Sequence, residues 1–152
     1  MILVIGAGVA GLSCALALAD TQLRDGRSEG EPPASDPVKV MVVSPGEFDL
    51  ELGAASALAG GNTALAQGGI AVALAASDSP RAHAADTVRA GGGLVDAAAA
   101  GLLCEHGANS VRRLIARGFA ADRRANGELS FGLEAAHSTA RIVHAGEDRT
   151  GD

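Results

Sequence analysis

At 152 residues, with 47% hydrophobic and 20% charged composition, the chain is long enough for one domain with a real core and is not a disordered segment. A net charge of −6 with no basic tail argues against a nucleic-acid partner, and no apolar run approaches the length of a membrane span. Aromatic residues make up 2% of the chain, so the core must come from Ala, Val, Leu and Ile.

The aliphatic run Ile2–Ile5 predicts a first strand, and the Ala/Leu-rich segment from about Gly11 to Ala19 predicts a helix. Thr21 to Pro37 is rich in Gly, Pro, Ser and charge and reads as a surface insertion. Val38–Val43 predicts a second strand, parallel to the first in a βαβ unit. A loop with an Ala/Leu patch follows to Gly61, and Asn62–Leu74 forms the next structured unit. Pro80 suits the first turn of a helix running to about Ala90, which Gly91-Gly92-Gly93 breaks. Asp96 can cap a helix to about His106. Asn109 can cap another over Ser110–Arg117, with Val111, Leu114 and Ile115 as its apolar face and Gly118 at its C′ position. Leu129–Leu133 and Arg141–Val143 are strand-like, and the polar ending GEDRTGD adds no core element. With two firm strands where a dinucleotide-binding sheet needs five or six, the expected fold is α/β and Rossmann-like, incomplete at its C-terminal side: the front part of a larger protein.

The order strand, Gly6-Ala7-Gly8-Val9-Ala10-Gly11, helix is that of a dinucleotide-binding fingerprint. Gly6 allows the turn off the strand, Gly8 lets the backbone approach a pyrophosphate, and Gly11 lets the helix pack on the strand. The free N–H groups of the helix start would face the phosphates. The acidic residue that usually ends the second strand and binds a ribose is absent. Ser44 and Pro45 stand there, with Glu47 and Asp49 beyond, which counts against simple NAD binding. A second small-residue segment runs Asn62-Thr63-Ala64-Leu65-Ala66-Gln67-Gly68-Gly69. Its glycines permit close approach to a flat ligand, and Thr63 and Gln67 add polar groups; on spacing alone it serves equally well as a turn before a strand.

Cys14 and Cys104 show no metal or redox spacing, and Cys14 is expected as a small core residue of the first helix. No disulfide framework and no basic n-region of a signal peptide are seen, so the expected compartment is the cytoplasm. Arg112, Arg113, Arg117, Arg123 and Arg124 form a basic cluster that reads as a solvated helix face and loop.

These motifs together resemble the flavoprotein family of succinate dehydrogenase, fumarate reductase and the L-aspartate oxidases. The resemblance rests on GAGVAGLSCALALA, the strand ending VVS, NTALAQGGIA, and Asp86-Thr87-Val88-Arg89-Ala90-Gly91. Its most specific part is Glu134-Ala135-Ala136-His137-Ser138, followed by Arg141-Ile142-Val143-His144-Ala145-Gly146 and Asp148-Arg149-Thr150-Gly151, which is similar to a stretch of the L-aspartate oxidases. It covers nearly the whole chain except the insertion.

The resemblance implies an FAD-binding domain. Gly6 to Gly11 would meet the pyrophosphate, Ser44 and Pro45 the adenosine ribose, and Asn62 to Gly69 the flavin. A histidine carries a covalent flavin bond in the succinate dehydrogenase group, and Asn62 stands at its position, so the FAD is expected to be non-covalent. Glu134 matches the glutamate that pairs with the amino group of L-aspartate, while the two glycines that follow it in the family are Ala135 and Ala136 here. His137, Arg141 and His144 match positions near the substrate region, without an assigned role. The implied reaction oxidises L-aspartate to iminoaspartate, with oxygen or fumarate as acceptor, and feeds quinolinate and NAD synthesis. The catalytic residues of the family lie beyond Asp152. A succinate dehydrogenase-type flavoprotein and a non-catalytic dinucleotide-binding module are the alternatives.

Overall fold

The structure is a computed structural model that describes residues 1–23, 38–44, 62–63, 65–146 and 149–151. They fall into two compact units. One comprises residues 1–66 with 151–152 and the other residues 67–150.

In the first unit, β1 (Ile2–Ile5) leads into α1 (Val9–Leu23), and β2 (Val40–Val43) pairs with β1 in parallel. The register sets Ile2 beside Val40 and Ile5 beside Val43, so both strands end level with each other. Gly6 N–H donates to the Val43 carbonyl at 2.7 Å and continues the ladder into the turn. The strand–turn–helix order is the expected one. The helix is longer than expected, because Thr21 to Leu23 continue it, and the insertion therefore begins after them. The second strand starts later than expected, at Val40. In β1 only Val4 is buried.

Cys14 is exposed, contrary to its expected place in the core. The half-buried stripe of α1 runs through Gly11, Leu12, Ala15 and Leu18, and Cys14 sits off that stripe.

In the second unit, β3 (Ile70–Ala71) pairs antiparallel with β4 (Ile142–Val143). Between them come α2 (Pro80–Ala90) and α3 (Ala97–Ala116), which pack on each other. Ser79 caps α2 by accepting the Ala82 N–H at 3.1 Å, and Pro80 occupies the first turn, where its missing N–H costs nothing. Asp96 caps α3 as expected, accepting from Ala98 N at 2.9 Å and Ala99 N at 3.0 Å.

Where the sequence predicts two helices over 96–117, one continuous helix stands. Asn109 lies inside it rather than at a cap, and its side-chain oxygen accepts from Arg112 one turn on. The burial of Ala100, Cys104, Ala108 and Val111 at helical spacing holds the segment together across Gly107. Gly118 follows its end at φ +110°, the left-handed conformation expected of a C′ glycine.

The core joins Val72, Ala108, Val111, Ala121 and Val143, with Ile115, Phe119, Leu129 and Phe131 packed on it. Leu129–Leu133 forms no strand. Leu129 bridges to Arg123 and Gly132 to Ile142 as isolated pairs, because the chain leaves the ladder for the loop that follows. No helix of the described residues is long and apolar enough to cross a membrane.

Candidate functional site

The glycine turn is shaped by steric need. Gly6 has φ +104°, a conformation that side chains disfavour. A Cβ on Gly11 would lie 1.9 Å from the Gly6 carbonyl oxygen, so helix and turn approach each other only because Gly11 has none. A Cβ on Gly8 would meet the Thr63 hydroxyl at 3.0 Å.

That hydroxyl accepts the Val9 N–H at 3.1 Å, and the first intrahelical bond runs from Leu12 N to the Gly8 carbonyl at 3.0 Å. Ala10 and Gly11 in the first turn have no preceding helical carbonyl to reach, and these N–H groups with the helix dipole suit an anion. Ala7 is buried beneath the turn and Ala10 is exposed on the helix start. The cradle therefore fits the pyrophosphate of a dinucleotide, held by main chain.

Ser44 follows β2 directly and is exposed next to the turn, since Val43 bonds Gly6. That is the position from which a ribose would be reached. Pro45 and Ala64 lie outside the described residues.

In the second segment, Asn62, Leu65, Ala66 and Gln67 are exposed and Thr63 is half-buried. The structure brings Thr63 to the helix N-terminus, where its hydroxyl caps the first N–H after the glycine turn. Ala66 N–H donates to the Thr63 carbonyl, and Gly151 N–H donates to the Ala66 carbonyl, both at 3.0 Å. A Cβ on Gly151 would lie 2.0 Å from the Thr63 carbonyl oxygen. Gly151 is thus a residue of this segment that spacing near Gly68 did not reveal, and the small residue after Thr150 was the available signal.

Gly68 has φ +81° and accepts from the Thr150 hydroxyl. A Cβ on Gly69 would lie 2.2 Å from Ile142 Cγ2 and 3.0 Å from His144 Cε1. The small side of Gly69 is therefore needed for packing against β4.

Glu134 is exposed, and no ion pair or hydrogen bond reaches its carboxylate from the described residues. It opens a turn that closes when His137 N–H donates to the Glu134 carbonyl at 3.3 Å. Ala136 occupies the left-handed region at φ +71°, a conformation that favours glycine.

Arg141 is wholly buried and is enclosed by carboxylates of its own chain. Its Nε and Nη2 donate to the two oxygens of Asp78 at 2.8 and 2.9 Å, a bidentate pair. Its Nη1 donates to Asp86 at 2.7 Å and lies 3.2 Å from His137 Nδ1. An arginine has no acceptor, so His137 Nδ1 accepts and a neutral His137 carries its proton on Nε2.

Asp86 also accepts from the Ser138 hydroxyl and Ser138 N–H, each at 2.7 Å, and from Arg89. The Ser138 hydrogen bonds, hydroxyl first, and then the Arg141 guanidinium hold the Asp86 carboxyl far below the usual carboxylate range. Burial pushes Asp78 upward, but the hydrogen bonds from Arg141 and Ser79 N–H outweigh it, and its carboxyl also lies below the ordinary value. Burial, followed by the charge of Arg141, lowers the pKa of His83, whose ring lies 5.7 Å from that of His137. His144 Nδ1 is buried with no partner among the described residues.

The family model described as an FAD binding domain matches residues 52–152. The L-aspartate oxidase of Caulobacter vibrioides is 39% identical over 149 residues, 97% of this chain and 24% of that protein. The L-aspartate oxidase of Mesorhizobium japonicum is 40% identical over 148 residues, with the same shares covered. Among solved structures, the Mycobacterium smegmatis Sdh1 complex in its apo form superposes with a TM-score of 0.73 at 29% identity, over 99% of this chain and 21% of that one. The chain spans about a quarter of the length of the relatives it matches.

Proposed function

This chain belongs to the FAD-binding domain family, whose cofactor is FAD, and from that premise we propose that it serves in the FAD-dependent oxidation of L-aspartate to iminoaspartate. Both compact units then belong to one FAD-binding domain, with the remaining substrate and proton-transfer residues elsewhere in the full-length protein. FAD, when bound, supplies the two-electron acceptor, and oxygen or fumarate takes those electrons onward.

The residues of this chain do the holding. Main chain from Gly6 to Gly11 would receive the pyrophosphate, with the Thr63 hydroxyl seated on the Val9 N–H at the helix start; Ser44 and Pro45 would hold the ribose, and the Asn62–Gly69 segment the flavin. Asn62 offers an amide, which is no nucleophile, so the cofactor is held without a covalent bond.

The observation that carries the substrate reading is Glu134. Its carboxylate is exposed and unpaired among the described residues, yet it sits on a turn fixed by buried ion pairs. A free carboxylate pairs with the amino group that distinguishes L-aspartate from succinate. The two free cysteines, Cys14 and Cys104, suit a reducing cytoplasm, where iminoaspartate would pass to quinolinate and NAD synthesis.

Anaerobic mixing of the FAD-loaded full-length protein with each dicarboxylate tests the reading. L-aspartate is expected to bleach the flavin absorption and succinate to leave it intact. Bleaching by succinate alone would assign the protein to the succinate dehydrogenase type instead.

A further inference from the structure

We propose that Asp78, Asp86 and Arg141 are positioning residues for substrate discrimination: through Ser138 and His137 they fix the turn that aims Glu134 at the substrate amino group. The proposal rests on the reading of Glu134 as the amino-group contact and adds the residues that make that contact selective.

The Glu134 side chain has no partner of its own among the described residues, so the backbone alone fixes where its Cα–Cβ bond points. That backbone is tied at short intervals. His137 N–H closes the turn onto the Glu134 carbonyl. The next residue, Ser138, gives both its N–H and its hydroxyl to one oxygen of Asp86. That oxygen also receives Arg141 Nη1, which touches His137 Nδ1 as well. Arg141 is anchored in turn by the two oxygens of Asp78, beside the N-cap of α2. The turn is thereby fastened to a helix from which it is separated by about fifty residues of sequence.

All three charged groups are buried, with side-chain exposures of 0%, 0% and 3% for Arg141, Asp78 and Asp86. Buried ion pairs of this kind contribute little net stability against apolar packing, and their best-attested use is to select one geometry. Here the geometry selected contains Ala136 in a left-handed conformation that an alanine does not choose unaided. The fastening is what holds the turn in that shape.

The test measures KM and kcat for L-aspartate, and inhibition by succinate, in the FAD-loaded full-length protein. The variants are Ser138→Ala, Arg141→Lys and Glu134→Gln. Ser138→Ala removes one hydrogen bond while keeping the ion pairs, and it keeps the proposal testable if Arg141→Lys fails to fold.

Both positioning variants are expected to raise KM for L-aspartate about tenfold with kcat changed less than about threefold, and to leave succinate inhibition within about twofold. Glu134→Gln should show the same selectivity with a larger KM effect. Equal weakening of succinate and L-aspartate in Ser138→Ala would reduce the network to a structural role and overturn the proposal. So would an unchanged KM in that variant alongside a raised KM in Glu134→Gln. A Glu134→Gln protein with unaltered L-aspartate kinetics would instead remove the reading of Glu134, and the proposal with it.

Discussion

The two units of the chain build their candidate sites from opposite materials. In residues 1–66 the cradle is main chain: a positive-φ glycine, a helix N-terminus and two glycines whose missing Cβ atoms permit close approach. In residues 67–150 the Glu134 turn is held by side chains, with a buried arginine between two carboxylates. A site of the first kind is damaged by adding atoms and is indifferent to many side-chain deletions. A site of the second kind is damaged by removing a single donor, because its partner is then left charged and buried.

The sharpest way to break this contrast is Gly11→Ala. The added Cβ would sit 1.9 Å from a backbone oxygen, which cannot swing aside as a side chain can. Overpacking of this sort costs about 1–3 kcal/mol, and the turn must open to relieve it. The full-length variant should therefore purify with little flavin, read from the ratio of flavin to protein absorbance. Wild-type flavin content would show that the close approach of helix and turn does not matter for binding.

A smaller and opposite effect is expected in the other unit from Ala136→Gly. Removing a methyl from a residue at φ +71° relieves local strain of about 1 kcal/mol, offset in part by the greater freedom of glycine in the unfolded chain. Thermal melting should show a variant as stable as the parent or slightly more so. A clear loss of stability would mean that the Ala136 methyl makes packing contacts outweighing its strain.

The same contrast explains what was legible in the sequence. Gly6, Gly8 and Gly11 announce themselves because their spacing is local and the turn they make needs few other residues. Asp96 as a helix cap is readable for the same reason, since the N–H groups that donate to its carboxylate are two and three residues away.

The Arg141 network was not readable, because its partners lie 55 and 63 residues distant and nothing in local pattern pairs them. Asn109 misled for a related reason. It has the chemistry of a cap, but the apolar spacing from Ala100 through Val111 favours one continuous helix, and burial overrides a local preference. The packing role of Gly69 was hidden in the same way. Two adjacent glycines suggest ligand approach, while Ile142 and His144, which require the second of them to be small, come from the far end of the unit.

A flavin whose pyrophosphate is held by the main chain of the glycine turn, with Asn62 unable to bond it covalently, must leave the protein when the fold is lost. Acid precipitation of the FAD-loaded full-length protein tests this directly. The flavin should pass entirely into the supernatant, leaving a colourless pellet. Flavin that stays with the denatured protein after washing would contradict the claim.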